Sequence, residues 1–456
     1  MAVGVAAAVQ PILVIAAAFG ARIVAWMAAQ PTRGVYLLVV VIPLGVQMKR
    51  GLLTPVLRPA EFLILLVLGV VLVRSISGSG PGTVRFGQLT AVDWAFALVF
   101  AFGSIVPLVV MLFRGHAPSA DDSLKLLLPA KHYIIYRVVV AVVTDRQKML
   151  IVINLMLATS VVVAVIGILQ VLGLLGVRQM LATYYEFDPT RLSLDSVRAT
   201  STPVTSQALG TYLAVHATLA AALLSRAGKH VVWRRLLIAT LALDVIGALA
   251  SVTLTAALAV VIGFLLLAVL RRDVQRTMRL AVPVVLLAVV IFWPLLQERW
   301  AYQFTSSYAS GGVPVSWAGR ISSIVDVFWP EIQKDWLFGV SPVLQPPAFS
   351  ENAWRSIENQ ILYLMYQGGA LYAAAYLIFM AVVLQTLRSM LQQRRLDGPE
   401  LALTRAALIA WALMLILGLF DPHFNLAVET EAAWTLLALA TGATVRAMRA
   451  DSATGE

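Results

Sequence analysis

Two arginines lie in positions where they could bind an anion. Arg198 comes just before an apolar run, and Arg320 comes just before a stretch in which Ile321, Ile324 and Phe328 recur at helical spacing. A guanidinium offers paired donors that match phosphate oxygens and keeps its charge at neutral pH. Arg320 is expected at the N-terminal end of that short amphipathic helix, where exposed backbone N–H groups also attract anions. For both arginines the alternative is an ordinary base at a membrane interface.

A glutamate, Glu358, lies where a long polar stretch meets the apolar segment that follows it. A carboxylate at the edge of a membrane is costly unless it is paired or has a task, so Glu358 is a candidate general base. The alternative is an acidic residue favoured at a helix start by the helix dipole. Asn359, Tyr363 and Tyr366 follow at i, i+4 and i+7, and on one helical face they would line a polar cleft that binds substrate.

The same polar stretch is rich in tryptophan. These rings could form an aromatic belt at the membrane interface or stack on sugar faces, and the sequence leaves both open; Trp336 is retained as a candidate substrate-binding residue. The tryptophans of this stretch are Trp300, Trp317, Trp329, Trp336 and Trp354. His423 lies in a short turn after Asp421 and is expected either at the loop surface or in a site formed with the larger loops.

Composition shows what kind of molecule must position these residues. The chain has 456 residues, of which 60% are hydrophobic and 12% charged, whereas soluble domains carry roughly a quarter charged residues. Apolar runs of about 18 residues or more recur, which predicts an all-α, polytopic helical bundle in a membrane. The formal net charge is +11, and the basic residues lie mostly in short loops. Basic residues in such loops set the orientation of a membrane protein, so this charge does not indicate nucleic-acid binding.

Several classes of chemistry lack support in the sequence. The chain has no cysteine, which excludes disulfides and thiol catalysis. Strings typical of metal or nucleotide sites are also missing, so neither a metal nor a cofactor is expected. Any energy for a reaction should therefore lie in the substrate, and an activated lipid-linked pyrophosphate would suit two external arginines on a membrane body.

Hydropathy predicts a single transmembrane domain, residues 1–456, with about twelve spans and both termini on the cytoplasmic face. Two loops lie on the opposite, outer face: the first loop, residues 176–205, and the large loop, residues 297–359, which carries short amphipathic helices and the candidate site residues. The basic pair at Lys49 and Arg50 is expected on the cytoplasmic face, to which the span ending at Phe113 also returns.

Two segments need a separate interpretation. In residues 114–148 the apolar part is short and broken by Arg137, so it is expected to lie on the cytoplasmic face as an interfacial helix, the alternative being a spanning hairpin. Residues 236–270 form an apolar run about twice as long as one span needs. We expect this run to divide near Ser251 to Thr255 into two helices that meet at the outer face.

Three sequence motifs are predicted to lie beside transmembrane spans on the outer face. They are Val197-Arg198-Ala199-Thr200-Ser201 with Leu209-Gly210-Thr211-Tyr212-Leu213, Gly319-Arg320 with Trp336-Leu337-Phe338-Gly339-Val340-Ser341-Pro342, and Glu358-Asn359-Gln360-Ile361-Leu362-Tyr363 with Gly368-Gly369. In order and spacing, over residues 198–369, they resemble the motifs of the O-antigen ligase and polymerase superfamily, which includes Wzy-type exopolysaccharide polymerases.

The resemblance implies a GT-C-like membrane enzyme at the outer face of the bacterial inner membrane. Such an enzyme transfers glycan from a polyprenyl (undecaprenyl) pyrophosphate to an acceptor hydroxyl, without a metal and with inversion of the anomeric centre. Arg198 and Arg320 would hold the pyrophosphate, and Glu358 would act on the acceptor hydroxyl. The implied partners are the lipid-linked glycan donor, the glycan acceptor and membrane lipids, with chain-length or export proteins as further candidates.

The chain also departs from the family pattern. The histidine typical of ligases is Glu358 here, the large loop has no histidine, and Ser341 stands where the pattern has a second glycine. The Ser-Arg often found after the middle helix pair is absent. The glutamate favours a polymerase, while a ligase that moves glycan to a lipid or protein acceptor is the alternative. A lipid-linked oligosaccharide flippase or transporter is the second alternative; it predicts charges inside spans, for which Asp244 is one of few candidates.

Overall fold

The apolar segments of this chain form helices, because a helix satisfies its backbone polar groups internally, as lipid requires. The computed structural model describes residues 11–52, 57–77, 84, 86–186, 198–225, 231–271, 274–305, 314–340, 357–392, 396, 398–425 and 427–454. The α-helices in these residues are α1 Pro11–Ala29, α2 Thr32–Gly45, α3 Pro59–Ile76, α4 Ala91–Phe100, α5 Val106–Phe113, α6 Ala120–Leu126, α7 Leu128–Val142, α8 Arg146–Leu172, α9 Val177–Tyr184, α10 Ser206–Leu224, α11 Val231–Ala250, α12 Leu254–Arg271, α13 Val274–Ile291, α14 Trp293–Thr305, α15 Val315–Ser322, α16 Trp329–Lys334, α17 Gln360–Gln392, α18 Gly398–Leu417 and α19 Ala427–Thr454.

The helices confirm an all-helical, polytopic membrane protein. Among the described residues, seven helices are long and apolar enough to cross a membrane, or up to eight if the bent pair formed by α13 and α14 is one span. The joined helices α4 and α5, with a π-helical turn at Ala101–Ile105, count as one of the seven. The predicted number of about twelve spans stays a prediction.

Helix α10 forms the centre of the bundle. It is buried along nearly its whole length and packs against α11, α12, α18 and α19. Its sequence permits this because it is built mainly from small and aliphatic residues. At Gly210 an added Cβ would lie 2.2 Å from the Cβ of Ala256 on α12, so the two helices approach closely only with glycine there. Helix α10 is held in the core, so it also holds the C-terminal end of the segment before it, which contains Arg198.

Helix α7 does not form the interfacial helix predicted within residues 114–148, because it passes through the bundle beside α19. Near the start of α7, the Lys131 Nζ lies 2.7 Å from a carboxylate oxygen of Glu431. At its other end, the carbonyl of Val143 accepts a hydrogen bond of 3.2 Å from Arg446. The two contacts lie about 18 Å apart along α7 at 1.5 Å per residue. Helix α7 therefore runs parallel to α19 and packs along it inside the bundle.

The charge that breaks the apolar pattern of α7 is neutralised inside the protein. Arg137 lies 3.2 Å from a carboxylate oxygen of Asp93 on α4, and the same carboxylate accepts a hydrogen bond of 2.7 Å from the Tyr133 hydroxyl. A buried base is tolerated when it is paired and hydrogen-bonded. This partner is distant in sequence, which is why the hydropathy of α7 alone predicts a surface helix.

The contacts of two basic residues show which segments share a face of the bundle. Lys49 donates a hydrogen bond of 2.9 Å to the carbonyl of Ala182 in the first loop, and Arg114, after α5, lies 2.9 Å from Asp335 in the large loop. Both bases therefore lie at the face of the two loops, and the predicted placement of Lys49 and of the end of α5 at the opposite face is wrong. The physical reason is that both contacts join segments distant in the chain, which local hydropathy cannot reveal.

The contacts of two arginines place the N-terminal helices. Arg58, before α3, pairs with Glu186 in the first loop, so α3 begins at the face of the loops. Near the opposite end of α3, Arg74 donates a hydrogen bond of 2.6 Å to the carbonyl of Ala28, so α1 and α3 end side by side. The predicted placement of both ends of the chain on one face stays a prediction.

The division of residues 236–270 is confirmed. Helix α11 ends at Ala250 and α12 begins at Leu254, and the carbonyl of Ala250 accepts a hydrogen bond of 3.0 Å from the backbone of Ala199 in the first loop. The next predicted span is not straight, because α13 and α14 meet at an angle of 73°. Helix α14 continues to Thr305, so the large loop begins inside a helix.

Candidate functional site

A cluster of charged side chains lies at the face that carries the two loops. Arg320, on α15, forms an ion pair with Glu358, which lies two residues before the start of α17. The Arg320 guanidinium also lies 3.9 Å from Asp421, after α18. The side chains of Glu358 and Asp421 are each only 5% exposed, whereas that of Arg320 is 19% exposed. The structure therefore brings together two of the residues selected from the sequence and adds Asp421 beside them.

Arg198 belongs to the same cluster. Burial lowers the pKa of Arg198 from its ordinary value, while Tyr302 and Glu358 act on it in the opposite direction. An arginine starts from a pKa so high that Arg198 remains charged at neutral pH. The sequence assigned a catalytic role to Arg198, Arg320 and Glu358. In the structure, both arginines lie within electrostatic range of Glu358.

Sequence reasoning missed a third arginine, Arg299. Arg299 is on α14, its guanidinium lies 5.1 Å from the ring centre of Tyr302, and it is within electrostatic range of both Arg198 and Arg320. The hydropathy pattern placed this residue in a loop. The available signal was the helical spacing of Arg299 and Gln303, which continues the pattern of the preceding span. Three guanidiniums beside two carboxylates leave the cluster with a net positive charge, which suits an anionic ligand.

One amide side chain binds two backbone N–H groups in the segment that carries Arg198. The Gln170 carbonyl oxygen, on α8, accepts hydrogen bonds from the backbone N–H groups of Thr200, at 2.9 Å, and Ser201, at 2.8 Å. Ser201 and Val204 adopt φ angles of 49° and 70°, in a region that residues other than glycine rarely enter. Such a conformation persists only when its surroundings hold it, so Gln170 fixes the backbone beside Arg198.

Glu358 and Asp421 are adjacent because their two segments are hydrogen-bonded to each other. The Asn359 side chain donates to the carbonyl of Leu419 at 3.1 Å, and the backbone N–H of Gln360 donates to the carbonyl of Gly418 at 2.6 Å. Asn359 also accepts from the backbone of Leu362 at 3.0 Å, which caps the start of α17. The start of α17 therefore carries its carboxylate directly to the turn after α18.

The helical part of the large loop positions Arg320. Helix α15 is attached to α14 where the Gln303 carbonyl oxygen accepts hydrogen bonds from the backbone and hydroxyl of Ser316, at 3.1 and 2.8 Å. Arg320 lies near the C-terminal end of α15, and the chain continues through a π-helical turn, Ser323–Phe328, into α16. The predicted location of Arg320 at a helix N-terminus is therefore wrong, because the helix begins earlier, at Val315, and Arg320 gains no helix-start N–H groups.

A close backbone contact anchors the end of this helical part. Residues 336–340 lie against a kink in α17, where Gly368 and Gly369 leave helical geometry. The backbone of Val340 donates to the carbonyl of Tyr366 at 2.8 Å. Gly369 has a φ of +72°, and an added Cβ would lie 2.1 Å from the carbonyl oxygen of Leu337. Glycine is therefore required at this contact, which holds the large loop against α17.

Asp421 is the carboxylate of the cluster whose pKa is shifted by its surroundings. Burial raises the pKa of Asp421 to about 6; Glu358 acts in the same direction, while His423, Arg320 and a hydrogen bond from Thr255 oppose the rise. The Thr255 hydroxyl donates this bond at 3.0 Å. Asp421 can therefore exchange a proton near neutral pH, as a group that takes part in acid–base chemistry must.

His423 is not at the surface, although the sequence favoured that placement. Its side chain is fully buried, and Nδ1 lies 3.1 Å from a carboxylate oxygen of Glu429 on α19. The turn is short, so the histidine folds back under Asp421. Since His423 is buried, its role as a ligand for substrate stays a prediction, and what the structure shows is an electrostatic contact with Asp421.

The other predicted substrate-binding residues have mainly local contacts. Tyr366 is buried against Phe328, with ring centres 5.5 Å apart, so it faces an apolar cluster instead of the predicted polar cleft. The Tyr363 hydroxyl accepts a hydrogen bond of 2.5 Å from Gln367. Trp336 contributes its backbone carbonyl to Ala370 at 2.8 Å, and its ring is exposed. Whether any of these residues binds substrate stays a prediction.

The tryptophans of the large loop remain open to both interpretations. Trp300, Trp317, Trp329 and Trp336 are all exposed, as rings in a lipid interface or in a sugar site would be. Trp317 is the one with a contact near the cluster, since its ring centre lies 6.2 Å from that of Phe420, which precedes Asp421. Trp354 lies outside the described residues.

The fold and the cluster define a polytopic helical membrane protein with a basic, carboxylate-containing site at one face. Among the described residues, no three His, Cys, Asp or Glu side chains are grouped as metal ligands would be. Comparison of the chain with known protein families and with characterised proteins gives no match. The chemistry of the site must therefore be argued from its own residues.

Proposed function

We propose that the protein is a membrane glycosyltransferase that polymerises glycan repeat units carried on a polyprenyl pyrophosphate. The observation that supports this most is the convergence of Arg198, Arg299 and Arg320 around Glu358 and Asp421. Guanidinium groups bind phosphate oxygens in paired geometry, and several of them match the charge of a diphosphate. A neighbouring carboxylate supplies the base that an acceptor hydroxyl needs.

In the proposed reaction, Glu358 accepts the proton of the acceptor hydroxyl as the acceptor oxygen forms a bond to the anomeric carbon. The bond from that carbon to the pyrophosphate oxygen breaks, and its electron pair leaves with the diphosphate. Attack from the side opposite the leaving group inverts the anomeric centre. Arg198, Arg299 and Arg320 stabilise the negative charge that grows on the diphosphate, which is where electrostatic stabilisation lowers the barrier most.

The pairing of Arg320 with Glu358 has a place in this proposal. A diphosphate and Glu358 would bind the same guanidinium, so donor binding would weaken the hold of Arg320 on the carboxylate. Glu358 would then be available to the acceptor hydroxyl. Asp421, whose pKa is raised to about 6, lies within electrostatic range of Glu358 and is a candidate to share the proton that Glu358 receives.

The proposal also includes a location and a wider architecture. The face with the two loops would be the outer face of a bacterial inner membrane, and the bundle would be GT-C-like with about twelve spans. Polyprenyl-linked donor, glycan acceptor and membrane lipids would be the partners, together with chain-length or export proteins. The proposed reaction uses no metal or cofactor, because the donor pyrophosphate supplies the energy.

The proposal is tested by reconstitution with lipid-linked repeat units. Polymer formation should fall strongly in Arg198→Ala, Arg320→Ala and Glu358→Gln. Arg146→Ala is a matched control, because this half-exposed arginine pairs with Glu400 away from the cluster and should leave polymer yield unchanged. Full polymer yield from all three site variants would refute the mechanism.

A ligase that transfers glycan to a lipid or protein acceptor would use the same cluster. The same reconstitution distinguishes the two enzymes, because a ligase yields a single transfer to the added acceptor and no ladder of repeat units. The absence of the ligase-type histidine at Glu358 is what favours the polymerase.

A transporter, such as a lipid-linked oligosaccharide flippase, is supported by one further observation. The bundle buries more charge than the sequence suggested: Asp244 is fully buried, and the pairs Arg137–Asp93 and Lys131–Glu431 lie within it. Charged groups at depth are typical of transport pathways, although paired groups can also be structural. Movement of labelled lipid-linked glycan across vesicles without glycosidic product would favour this function.

A further inference from the structure

A small cavity lies inside the bundle, between α2, α8, α10 and α19. It measures about 20 Å³, and Met156 of α8 and Ala432 of α19 form part of its apolar wall. A cavity of about 10–15 Å³ is large enough to hold one water molecule, and the water needs two to four polar partners. The cavity is therefore large enough for a water molecule, and the nature of its polar groups decides whether one binds.

Two polar side chains on this wall have an atom without a hydrogen-bond partner among the described residues. They are Tyr212, through its hydroxyl, and Glu431, through Oε2, and each residue is only 1% exposed. The other carboxylate oxygen of Glu431 contacts Lys131, so the charge is paired but one oxygen remains to be satisfied. Leaving a buried polar atom unsatisfied is unfavourable, and more so when it is charged.

Two further acceptors belong to the wall. Pro43 lies inside α2 and has no N–H, so the carbonyl of Val39, one turn earlier, loses its usual helical partner; both residues line the cavity. His216 also lines it, and its Nδ1 lies 2.8 Å from the carbonyl of Tyr212. That contact makes Nδ1 the donor, so the neutral ring offers Nε2 as an acceptor. Ordered water commonly satisfies carbonyls freed by proline in membrane helices.

We propose that this cavity is an internal water-binding site formed by Tyr212, Glu431, His216 and the carbonyl freed by Pro43. One water molecule gives Glu431 its missing donor and gives the Tyr212 hydroxyl an acceptor. It thereby joins α19, and through Lys131 also α7, to the central helix α10 and to α2. The site depends only on groups within the bundle, so it is independent of the proposed glycosyl transfer.

X-ray radiolytic footprinting in lipid nanodiscs tests the proposal directly, because radiolysis of a bound water produces hydroxyl radicals beside it. Met156 is 3% exposed and lines the cavity, whereas Met414 is fully buried elsewhere. We expect Met156 to be oxidised several-fold faster than Met414, with incorporation of ¹⁸O after brief exchange into H₂¹⁸O. Equal, slow oxidation of the two methionines in the full-length wild-type protein would overturn the proposal, and this measurement needs no variant.

A pair of tyrosine variants tests the assigned partners. Tyr212→Phe removes one partner of the water and should lower the oxidation of Met156 several-fold. Tyr376→Phe is the matched control, because its hydroxyl is also buried without a hydrogen-bond partner in the described part of the chain, but Tyr376 does not line the cavity. The same loss of oxidation in both variants would show that Tyr212 is not a specific partner of the water.

Discussion

Arg320 and Glu358 form an ion pair although Arg320 lies on α15 and Glu358 lies at the far end of the large loop, beside the start of α17. The Glu358 side chain is almost fully buried against this partner, and Arg198 also lies within electrostatic range of it. The pair connects α15 to the start of α17. Glu358 is the proposed catalytic base, and the same ion pair also holds the large loop in its folded position. Variants of the two residues can separate the catalytic role from the structural role.

We predict that Arg320→Ala lowers stability more than a surface substitution does, because it leaves Glu358 buried without its closest partner. The expected loss is about 1–3 kcal/mol, the cost of an unsatisfied buried group. The double variant Arg320→Ala with Glu358→Gln should recover part of it, since the uncompensated carboxylate is then gone. Thermal unfolding in detergent, followed for the single and double variants, measures this coupling; strictly additive losses would show that the pair does not act as a unit.

The second prediction concerns the pH dependence of stability. The pKa of Asp421 is about 6 in the folded protein, above its ordinary value of 3.8, so the folded state binds a proton more tightly than the unfolded state. The stabilising contribution is complete below about pH 4 and is lost as the pH rises through 6. By linkage it amounts to at most about 3 kcal/mol.

Asp421→Asn is the variant that isolates this effect. The asparagine cannot titrate, so the variant does not lose this contribution as the pH rises. The unfolding midpoint of the wild type should therefore fall relative to that of the variant between pH 4 and pH 7. Asp335→Asn, at a half-exposed carboxylate on the same face, is the control and should show no such trend. A constant difference between wild type and Asp421→Asn across this range would contradict the raised pKa.

The third prediction concerns the contact between the large loop and α17. Gly369→Ala should detach residues 336–340, because the new Cβ would overlap the carbonyl oxygen of Leu337 and the φ of +72° is unfavourable for alanine. Limited proteolysis should then cut this segment faster. Gly69→Ala, on α3, has open space around it and should behave as the wild type does. Unchanged proteolysis of Gly369→Ala would show that the loop is held by other contacts.

The sequence predicted the membrane class and the members of the cluster better than it predicted their surroundings. Hydropathy revealed the all-helical bundle and the division near Ser251, because span length and polarity are local properties. It misjudged α7, because the partner that neutralises Arg137 is Asp93 on a distant part of the chain. It misplaced Lys49 for the same reason, because the carbonyl of Ala182 that accepts its hydrogen bond is also distant in sequence.

The site shows the same limit. Arg198, Arg320 and Glu358 could be selected by residue type and by position at the edge of an apolar segment. Arg299 was missed because the bend between α13 and α14 turns an apparent loop into a helix that points a base toward the cluster. The burial of His423 depends on Glu429 of α19, and no local pattern shows that contact.

The last prediction concerns Gln170, which acts on the cluster through Arg198. Gln170→Ala removes the acceptor shared by the backbone N–H groups of Thr200 and Ser201, so the strained segment after Arg198 should relax. Because Arg198 is one of three cationic groups, anion binding should weaken by about 1–3 kcal/mol, or roughly five- to 150-fold, while the bundle stays folded. Isothermal titration with inorganic pyrophosphate measures the affinity.

Thr200→Val is the matched control for this prediction. It removes the hydroxyl that accepts a hydrogen bond of 3.0 Å from the Gln170 side chain, but it leaves both backbone N–H groups bonded to the Gln170 oxygen. Its affinity for pyrophosphate should remain close to that of wild type. If Thr200→Val weakens binding as much as Gln170→Ala does, the backbone bonds are not what positions Arg198. If neither variant changes binding while Arg198→Ala abolishes it, Arg198 reaches the anion without help from Gln170.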